Sequence, residues 1–338
     1  FDDNLFKQGD GVVEDYSHFE NQYLDTIVSN AGKPRRKIKI AIDCGNAVPG
    51  PLTIKLMEKL DVDLITVHCD WDDKFPNHPP DPTRPENMKD LAKSVVENNA
   101  EFGIGMDGDG DRIGVVDQEG KFIHPDRLMT IFVKDILGER KGGTESERTV
   151  FYDVKCSMAL EEAIYSSGGI PKMVRTGHSF MKRELKENPD SPLAGEMSGH
   201  FFLNDRWPGF DDSLYNTARL LEIIAREPSP EEGGPKFSDW FEDLPKYAST
   251  GEAKVPLTMN RIETMDSVER KFSDMKYSNV DGVRVSYPEG WFLCRPSNTE
   301  PILVMRAEAN DEEGLVKIKQ DVEERLGEII NLEKFHNA

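Results

Sequence analysis

The chain has 338 residues, of which 37% are hydrophobic and 31% are charged, and its formal net charge is −21. This length fits two or three domains, and the composition is that of an ordinary globular protein. The acidic balance argues against a nucleic-acid partner, because binding to phosphate backbones needs clustered Lys and Arg. No apolar run approaches the ~20 residues of a membrane span and no signal peptide opens the chain, so no membrane partner is expected.

The four cysteines show neither metal-ligand nor redox spacing; they are Cys44, Cys69, Cys156 and Cys294. This usage predicts reduced thiols and a cytoplasmic protein. The chain begins at Phe1 rather than at Met, which favours a piece of a longer protein.

The first part of the chain alternates strand and helix patterns. Residues 1–36 are predicted to be a leading segment or linker with one short helix. Residues 37–125 then show a strand ending at Asp43, a helix, a strand, a helix and a strand, followed by a hairpin. This order predicts a mixed, mostly parallel sheet with ligands at the carboxyl ends of its strands. The proline-rich run FPNHPPDPTRPEN is interpreted as a rigid connector, and its His78 as a solvated side chain.

The same pattern repeats over residues 126–245. Superimposing GMDGDGDRIGVV on AGEMSGHFFLN places Asp107 on Glu196, and both loops precede a β-rich run. The fold class predicted is therefore α/β, with two duplicated mixed-sheet domains that carry different chemistry at the same loop. The composition changes at EPSPEEGGPKFSD, which is typical of a linker-like boundary. Residues 250–338 are predicted to form a smaller α+β C-terminal domain.

The acidic loop DGDGDR, residues 107–112, carries the strongest chemical signal. Its alternating glycines let three carboxylates converge, and oxygen ligands at this density suit a hard divalent cation such as magnesium, Mg²⁺. The candidate ligands are Asp107, Asp109 and Asp111. Because Arg112 follows directly, the loop also suits an anion beside the metal, which predicts a site for a phosphorylated small molecule.

Two other interpretations of this loop fail. An EF-hand needs Gly at the sixth position and Glu at the twelfth, where Arg112 and Gln118 stand. The string GIGMDG matches a dinucleotide fingerprint, but it leads into a hairpin, so no helix N-terminus is present to bind a pyrophosphate.

Three further groups carry weaker signals. The run RPSNTEP puts Arg295 beside hydroxyl groups, which suits a phosphate but equally a proline-bounded turn. The run GEMSGH offers a carboxylate, a hydroxyl and an imidazole, a set that can bind sugar hydroxyls but is common in polar loops. Lys155 and His178 each stand at the end of a predicted strand and are candidates for acid–base chemistry or phosphate contact, although a surface role is commoner for such residues.

In this order and separation, DGDGDR, TGHS, GEMSGH and RPSNTEP resemble the α-D-phosphohexomutase superfamily, and most of all its phosphomannomutase/phosphoglucomutase branch. The resemblance implies an isomerase that moves a phosphoryl group between the 1- and 6-positions of mannose or glucose through a bisphosphate intermediate. It implies that Asp107, Asp109 and Asp111 hold Mg²⁺, and that Arg112, Lys155 and His178 surround the transferring group, with Lys155 or His178 in proton transfer. The substrate-binding residues it implies are Thr176, Gly177, Glu196, Ser198, His200, Arg295, Ser297, Asn298 and Thr299.

The chain departs from this family at one point. In the family, a first domain carries a phosphorylated serine in a Ser-His-Asn-Pro-type loop, and these 338 residues contain no such loop. The nearest string, at residues 17–20, lacks the Asn-Pro. We therefore expect the chain to supply metal, sugar and phosphate sites but to be inactive alone. The alternative is a metal-dependent sugar-phosphate binding module without catalysis; a phosphatase is disfavoured because no nucleophilic Asp with a downstream partner is present.

Overall fold

The computed structural model describes residues 9–16, 18–139, 142–257, 260–297 and 300–338. Within these ranges, three β-sheets follow one another along the chain, each covered by helices. None of the helices found there combines the length and the apolar character needed to cross a lipid bilayer.

The first sheet is mixed, as predicted. Its strands are β1 (Lys39–Asp43), β2 (Asp63–Val67), β3 (Phe102–Met106), β4 (Ile113–Val116) and β5 (Phe122–Ile123). Their order is β2-β1-β3-β4-β5, with β1 parallel to both β2 and β3, and β4 antiparallel to β3. Its helices are α1 (Phe19–Ala31), α2 (Gly50–Leu60) and α3 (Lys89–Asn98). The acidic loop, residues 107–112, directly follows β3. It therefore lies at the carboxyl edge of the sheet, where ligands were expected.

Helix α1 lies within the predicted leading segment, and it packs on the body of the protein. Its residues Leu24, Ile27 and Ala31 repeat at helical spacing and are fully buried. On its other side, Lys59 of α2 contacts Asp25 at 2.8 Å. The proposed division of the chain into domains remains a prediction.

The second sheet repeats the topology of the first. Its strands are β6 (Thr149–Asp153), β7 (Ile170–Val174), β8 (Leu193–Gly195) and β9 (Phe201–Leu203), in the order β7-β6-β8-β9. Strand β6 is parallel to β7 and β8, and β9 is antiparallel to β8, so the directions match those of β1 to β4. Its helices are α4 (Pro125–Glu139), α5 (Glu145–Arg148), α6 (Met158–Ser166), α7 (His178–Glu187) and α8 (Ser213–Ile224). The predicted duplication is confirmed at the level of topology.

The two α/β units share one hydrophobic core. Phe237 stacks on Phe102 of β3 with ring centroids 4.2 Å apart, and Phe241 is also buried. Phe237 belongs to the run EPSPEEGGPKFSD, so the end of this predicted linker is packed structure. Burial of an aromatic side chain outweighs the local Pro and Gly composition there.

The third sheet is antiparallel and has a core of its own. Its strands are β10 (Ala248–Ser249), β11 (Ala253–Pro256), β12 (Tyr277–Ser278), β13 (Val283–Ser286), β14 (Gly290–Pro296) and β15 (Ile302–Ala309). Its helices are α9 (Arg261–Lys271), α10 (Glu312–Leu326) and α11 (Glu333–His336). This arrangement confirms the predicted smaller α+β unit.

The third sheet rests on the end of β6. Trp291 and Leu293 of β14 pack against Val154, and all three are buried. The Glu308 carboxylate accepts a hydrogen bond from the Met158 backbone N–H at 2.7 Å. Residues of the C-terminal unit are therefore close to the loops that follow the second sheet.

Candidate active site

The acidic loop is organised around the buried carboxylate of Asp107. Its Oδ1 accepts hydrogen bonds from the backbone N–H groups of Gly110, Asp111 and Arg112 at 3.0–3.1 Å. Its Oδ2 accepts from Nε of Arg112 at 2.7 Å. Burial opposes the negative charge, but the hydrogen bond and charge of Arg112 hold the pKa of Asp107 below its usual range.

The three aspartates of the loop converge as the sequence predicted. One carboxylate oxygen from each of Asp107, Asp109 and Asp111 lies within 4.8 Å of the others. Burial, together with repulsion from its two neighbours, raises the pKa of Asp111 to about 7. Three carboxylate oxygens this close together fit a hard divalent cation.

Arg112 joins two loops that sequence reasoning treated separately. Its guanidinium contacts Asp107, and its Nη1 lies 3.1 Å from Oδ1 of Asp81, in the proline-rich run. Its backbone forms an isolated antiparallel bridge with His200. The proline-rich run is therefore more than a connector, because its Asp81 orients Arg112.

The loop after β8 occupies the equivalent place in the second sheet. Glu196 is buried, its Oε1 accepts from the backbone N–H of Gly177, and its Oε2 accepts from the Ser198 hydroxyl at 3.2 Å. Burial and the nearby Asp153 raise the pKa of Glu196. The structure thus brings together the sequence-predicted residues Thr176, Gly177, Glu196 and Ser198.

Asp211 is a central residue of this site, although sequence reasoning gave it no role in binding or catalysis. Asp212 is the cap of α8, since its side chain accepts from the Tyr215 N–H. Asp211 instead contacts Nδ1 of His200 at 2.9 Å and Nζ of Lys182 at 2.6 Å. Burial opposes protonation of His200, yet Asp211 and the acidic loop raise its pKa.

His178 begins α7 and lies beside His200. Its ring stacks on that of His200 with centroids 5.4 Å apart. Burial, and the positive charges of Lys182 and His200, lower the pKa of His178 below its usual value. The ring is half exposed, so a substrate can reach it.

Lys155 is held by a residue from the C-terminal unit. Its side chain is only 9% exposed, and Nζ lies 2.9 Å from Oε1 of Glu252 and 3.9 Å from Oδ2 of Asp153. Burial opposes the charge of Lys155, but these two carboxylates outweigh it and raise its pKa. Lys155 is therefore a fixed cation. The predicted surface alternative for Lys155 is wrong.

Arg295 is buried and paired with a second carboxylate of the C-terminal unit. Its Nε lies 2.6 Å from Oδ2 of Asp281, which also accepts from the backbone N–H of Thr176 at 3.2 Å. The Ser297 hydroxyl accepts from the N–H of Glu300 at 3.2 Å. The predicted residues Asn298 and Thr299 lie outside the described residues.

Most of the residues missed by sequence reasoning contact a predicted residue outside their own loop or helix: Asp81 contacts Arg112, Asp211 contacts His200, Glu252 contacts Lys155 and Asp281 contacts Arg295. The fifth, Lys182, contacts Asp211 and lies 3.1 Å from the ring of His178, four positions away. Asp81 lies in the proline-rich run FPNHPPDPTRPEN and Asp211 in the run RWPGFDD. Both runs resemble the same superfamily as the four motifs do, and that resemblance was the available signal for these two residues.

Loops of the two α/β sheets and of the α+β sheet thus meet in one place, called the cleft below. It contains the acidic loop, the paired cations Arg112, Lys155 and Arg295, and the polar residues Glu196, Ser198 and His200. Three family models match the chain in order. They are "Phosphoglucomutase/phosphomannomutase, alpha/beta/alpha domain II" over residues 21–120, "alpha/beta/alpha domain III" over 124–247 and the "C-terminal domain" over 252–325. The chain belongs to the phosphoglucomutase/phosphomannomutase family of the α-D-phosphohexomutase superfamily.

Individual relatives agree with this assignment. The chain is 42% identical over 287 residues to a phosphomannomutase/phosphoglucomutase of Pseudomonas syringae, covering 84% of this chain and 59% of that protein. It is 39% identical over 318 residues to a phosphoglucomutase of Neisseria meningitidis, covering 93% and 65% respectively. A crystal structure of a family protein from Burkholderia thailandensis superimposes with a TM-score of 0.81 at 40% identity, covering 91% of this chain and 64% of that one. The chain thus spans about three fifths of the length of these relatives.

Proposed function

We propose that this chain supplies the metal, hexose and phosphate sites of a phosphohexomutase, which interconverts hexose 1-phosphate and hexose 6-phosphate of mannose or glucose through a bisphosphate intermediate. The observation that carries the proposal is the meeting of loops from all three sheets in one cleft. Arg112 bridges to His200, and Asp281 accepts from Thr176. A hexose bisphosphate carries two anionic groups, and the cleft contains three cations that could bind them, Arg112, Lys155 and Arg295.

The acidic loop would hold Mg²⁺ through Asp107, Asp109 and Asp111. The convergence of the three carboxylates supports this assignment, and burial together with the neighbouring carboxylates raises the pKa of Asp111 despite the opposing charge of His200. When bound, the ion would supply positive charge to phosphoryl oxygens, the main requirement of phosphoryl transfer. Arg112 is the last residue of the same loop and would bind an oxygen of the transferring group.

Of the two residues considered for proton transfer, His178 suits the task better than Lys155. A general base must be neutral near the working pH, and the lowered pKa of His178 keeps its imidazole neutral. Lys155 is a buried cation whose pKa is raised, so it would act by binding phosphate through its charge.

The sugar and the distant phosphate would lie across the second and third sheets. Glu196, Ser198 and His200 offer acceptors and donors to sugar hydroxyls, with Thr176 and Gly177 at their edge. Arg295 and Ser297, with Asn298 and Thr299 by resemblance, would hold the phosphate that is not transferred.

Calorimetry and a coupled turnover assay test this proposal. The chain should bind mannose 6-phosphate and glucose 6-phosphate in the presence of Mg²⁺, and Glu196→Gln should weaken binding about tenfold or more, since a buried charged hydrogen bond is lost. The control Glu242→Gln changes an exposed carboxylate and should bind as the parent does. The chain alone should show no turnover, because it lacks the phosphoserine loop.

Turnover should appear when the phosphoserine domain of a phosphohexomutase precedes the chain. Binding without turnover in that longer protein would favour the catalytically incomplete binding module instead. If neither hexose phosphate binds, and Glu196→Gln behaves like its control, the proposed site is wrong.

A further inference from the structure

A second group of potential metal ligands lies at the carboxyl ends of β1 and β2, apart from the acidic loop. Asp43 is the last residue of β1, His68 follows β2, and His78 lies in the proline-rich run. One ligand atom from each lies within 4.8 Å of the others. The Asp43 side chain is 2% exposed, His78 15% and His68 21%, so the group is sheltered but open on one side.

The hydrogen bonds of His78 fix which ring nitrogen carries a proton. Nδ1 lies 2.9 Å from the carbonyl oxygen of Pro79, which can only accept, so Nδ1 donates. In the neutral ring, Nε2 then presents a lone pair, and it faces Oδ2 of Asp43 at 3.0 Å. Two acceptors at this distance repel each other unless a cation lies between them, either a proton or a metal ion.

The other two residues are oriented in the way that metal ligands usually are. Nε2 of His68 lies 2.9 Å from a carboxylate oxygen of Asp90, which leaves the lone pair on Nδ1 when Nε2 donates. Oδ1 of Asp43 accepts from the Gly45 N–H at 2.8 Å, so Oδ2 remains for another partner. A ligand whose far side is held by a carboxylate, a carbonyl or a backbone N–H is the common arrangement around protein-bound metals.

We propose that Asp43, His68 and His78 bind a divalent transition-metal ion, with Zn²⁺ the best match, through one carboxylate oxygen and one ring nitrogen of each histidine. Two imidazoles and a carboxylate suit such ions, whereas the all-oxygen loop at Asp107 suits Mg²⁺. Solvent on the open side completes the coordination. The site is distinct from the Mg²⁺ loop in both ligand chemistry and position.

The ion would fasten the proline-rich run to the sheet. His78 stands three residues before Asp81, which holds Arg112 in the cleft. A metal that joins His78 to the ends of two strands therefore restrains the segment that positions Arg112. It also raises the stability of the folded chain by mass action, because the ligands come together only on folding.

The competing explanation is a proton in the same gap. The hydrogen bond to Asp43, opposed by burial, raises the pKa of His78 to about 8, so an ion pair without metal satisfies the same contact. The interpretation of His78 as a solvated side chain is wrong in either case. Only a metal-binding measurement separates the two explanations.

The test uses Co²⁺ as a spectroscopic probe and Zn²⁺ for affinity, on the full chain in excess Mg²⁺ so that the acidic loop is occupied. Co²⁺ should give visible absorption typical of a nitrogen-containing site, and Zn²⁺ should displace it. His68→Asn and His78→Asn should each weaken Zn²⁺ binding by at least about tenfold. Asn is chosen because His68 has a φ of 47°, which Asn tolerates better than most residues.

Two control variants complete the design. His336→Asn removes a surface histidine paired with Glu323 at 2.7 Å, and Asp109→Asn removes an exposed carboxylate of the acidic loop; both should keep the Co²⁺ spectrum. Circular dichroism verifies that each variant is folded, and His68→Asn alone decides the outcome if His78→Asn does not fold. Zn²⁺ affinity unchanged in His68→Asn, or Co²⁺ absorption lost in Asp109→Asn, would overturn the proposal.

Discussion

Replacing Arg219 should destabilise the protein more than any change to a surface ion pair. Arg219 lies in α8 and is 0% exposed. Its guanidinium contacts Asp135 at 2.6 Å, Asp205 at 3.1 Å and Glu222 at 3.4 Å. In Arg219→Met the volume is nearly kept, but three carboxylates lose a buried counter-charge. Helix α8 also supports the acidic loop, since the N–H of Ser213 donates to the carbonyl of Gly110 at 2.9 Å.

The loss of stability depends on which ion pairs and hydrogen bonds each of the three carboxylates retains after the substitution. Removing one partner of a buried ion pair costs about 3–5 kcal/mol, because the remaining charge is left without compensation. Asp135 and Glu222 both retain hydrogen bonds to Arg226. Among the residues that the structure describes, Asp205 retains only Arg206, at 3.7 Å. One carboxylate of the three is therefore nearly unpaired in the variant. The free energy of unfolding should fall by about 3 kcal/mol, the lower end of that range.

Urea denaturation followed by tryptophan fluorescence measures this loss. Trp207 stacks on Tyr215 of α8 with centroids 4.3 Å apart, so it reports on the affected region. With a denaturant slope of about 3 kcal/mol/M, the midpoint should fall by about 1 M. The control Lys134→Met removes an exposed pair with Asp243 at 2.8 Å and should change stability by less than about 1 kcal/mol. Equal midpoints for the two variants would refute the assigned role of the buried network.

Three further predictions concern the cleft and the thiols. Arg295→Lys keeps the positive charge but loses the planar guanidinium, which can donate two parallel hydrogen bonds to a phosphate. Calorimetry should therefore show hexose-phosphate binding weakened about tenfold or more. Unchanged affinity would remove Arg295 from the phosphate site. Gly199→Ala should lower the free energy of unfolding in urea by about 1–3 kcal/mol. The φ of Gly199 is 86°, and a Cβ there would lie 2.7 Å from the carbonyl oxygen of Ile113. An unchanged urea midpoint would show that the loop can shift. Cys156 and Cys294 are fully buried, and burial raises the pKa of both thiols, that of Cys294 to about 12. Neither should react with iodoacetamide until the chain is unfolded, and labelling of either in the native protein, detected by mass spectrometry, would contradict this.

The local pattern of the sequence was sufficient to predict the sheets and the position of the acidic loop. Alternating strand and helix patterns dictate parallel strands, and the carboxyl ends of such strands share an edge. Asp107 and Glu196 each follow the third strand of their sheet, as the superposition of the two loops predicted. These features depend on residues close together in the chain, where periodicity and glycine spacing are informative.

Contacts between distant segments could not be predicted in the same way. The pairing of Lys155 with Glu252 joins residues 97 positions apart, and that of Phe102 with Phe237 joins residues on different units. The local composition around Glu252 and around His78 does not distinguish either residue from a solvated one. Their positions follow from how the sheets pack, which depends on many side chains at once.

The paired cations of the cleft explain how a chain of net charge −21 could bind the anionic sugars proposed as its ligands. Arg112 is balanced by Asp107, Lys155 by Glu252 and Arg295 by Asp281, each at 2.6–2.9 Å. Desolvating a cation is costly unless a negative group is present, so these carboxylates make it possible to bury the cations before substrate arrives. A phosphate that binds must replace or share these partners. Two of them, Glu252 and Asp281, belong to the C-terminal unit, so exchange of carboxylate for phosphate would link the proposed substrate binding to the contacts that hold this unit against the second sheet.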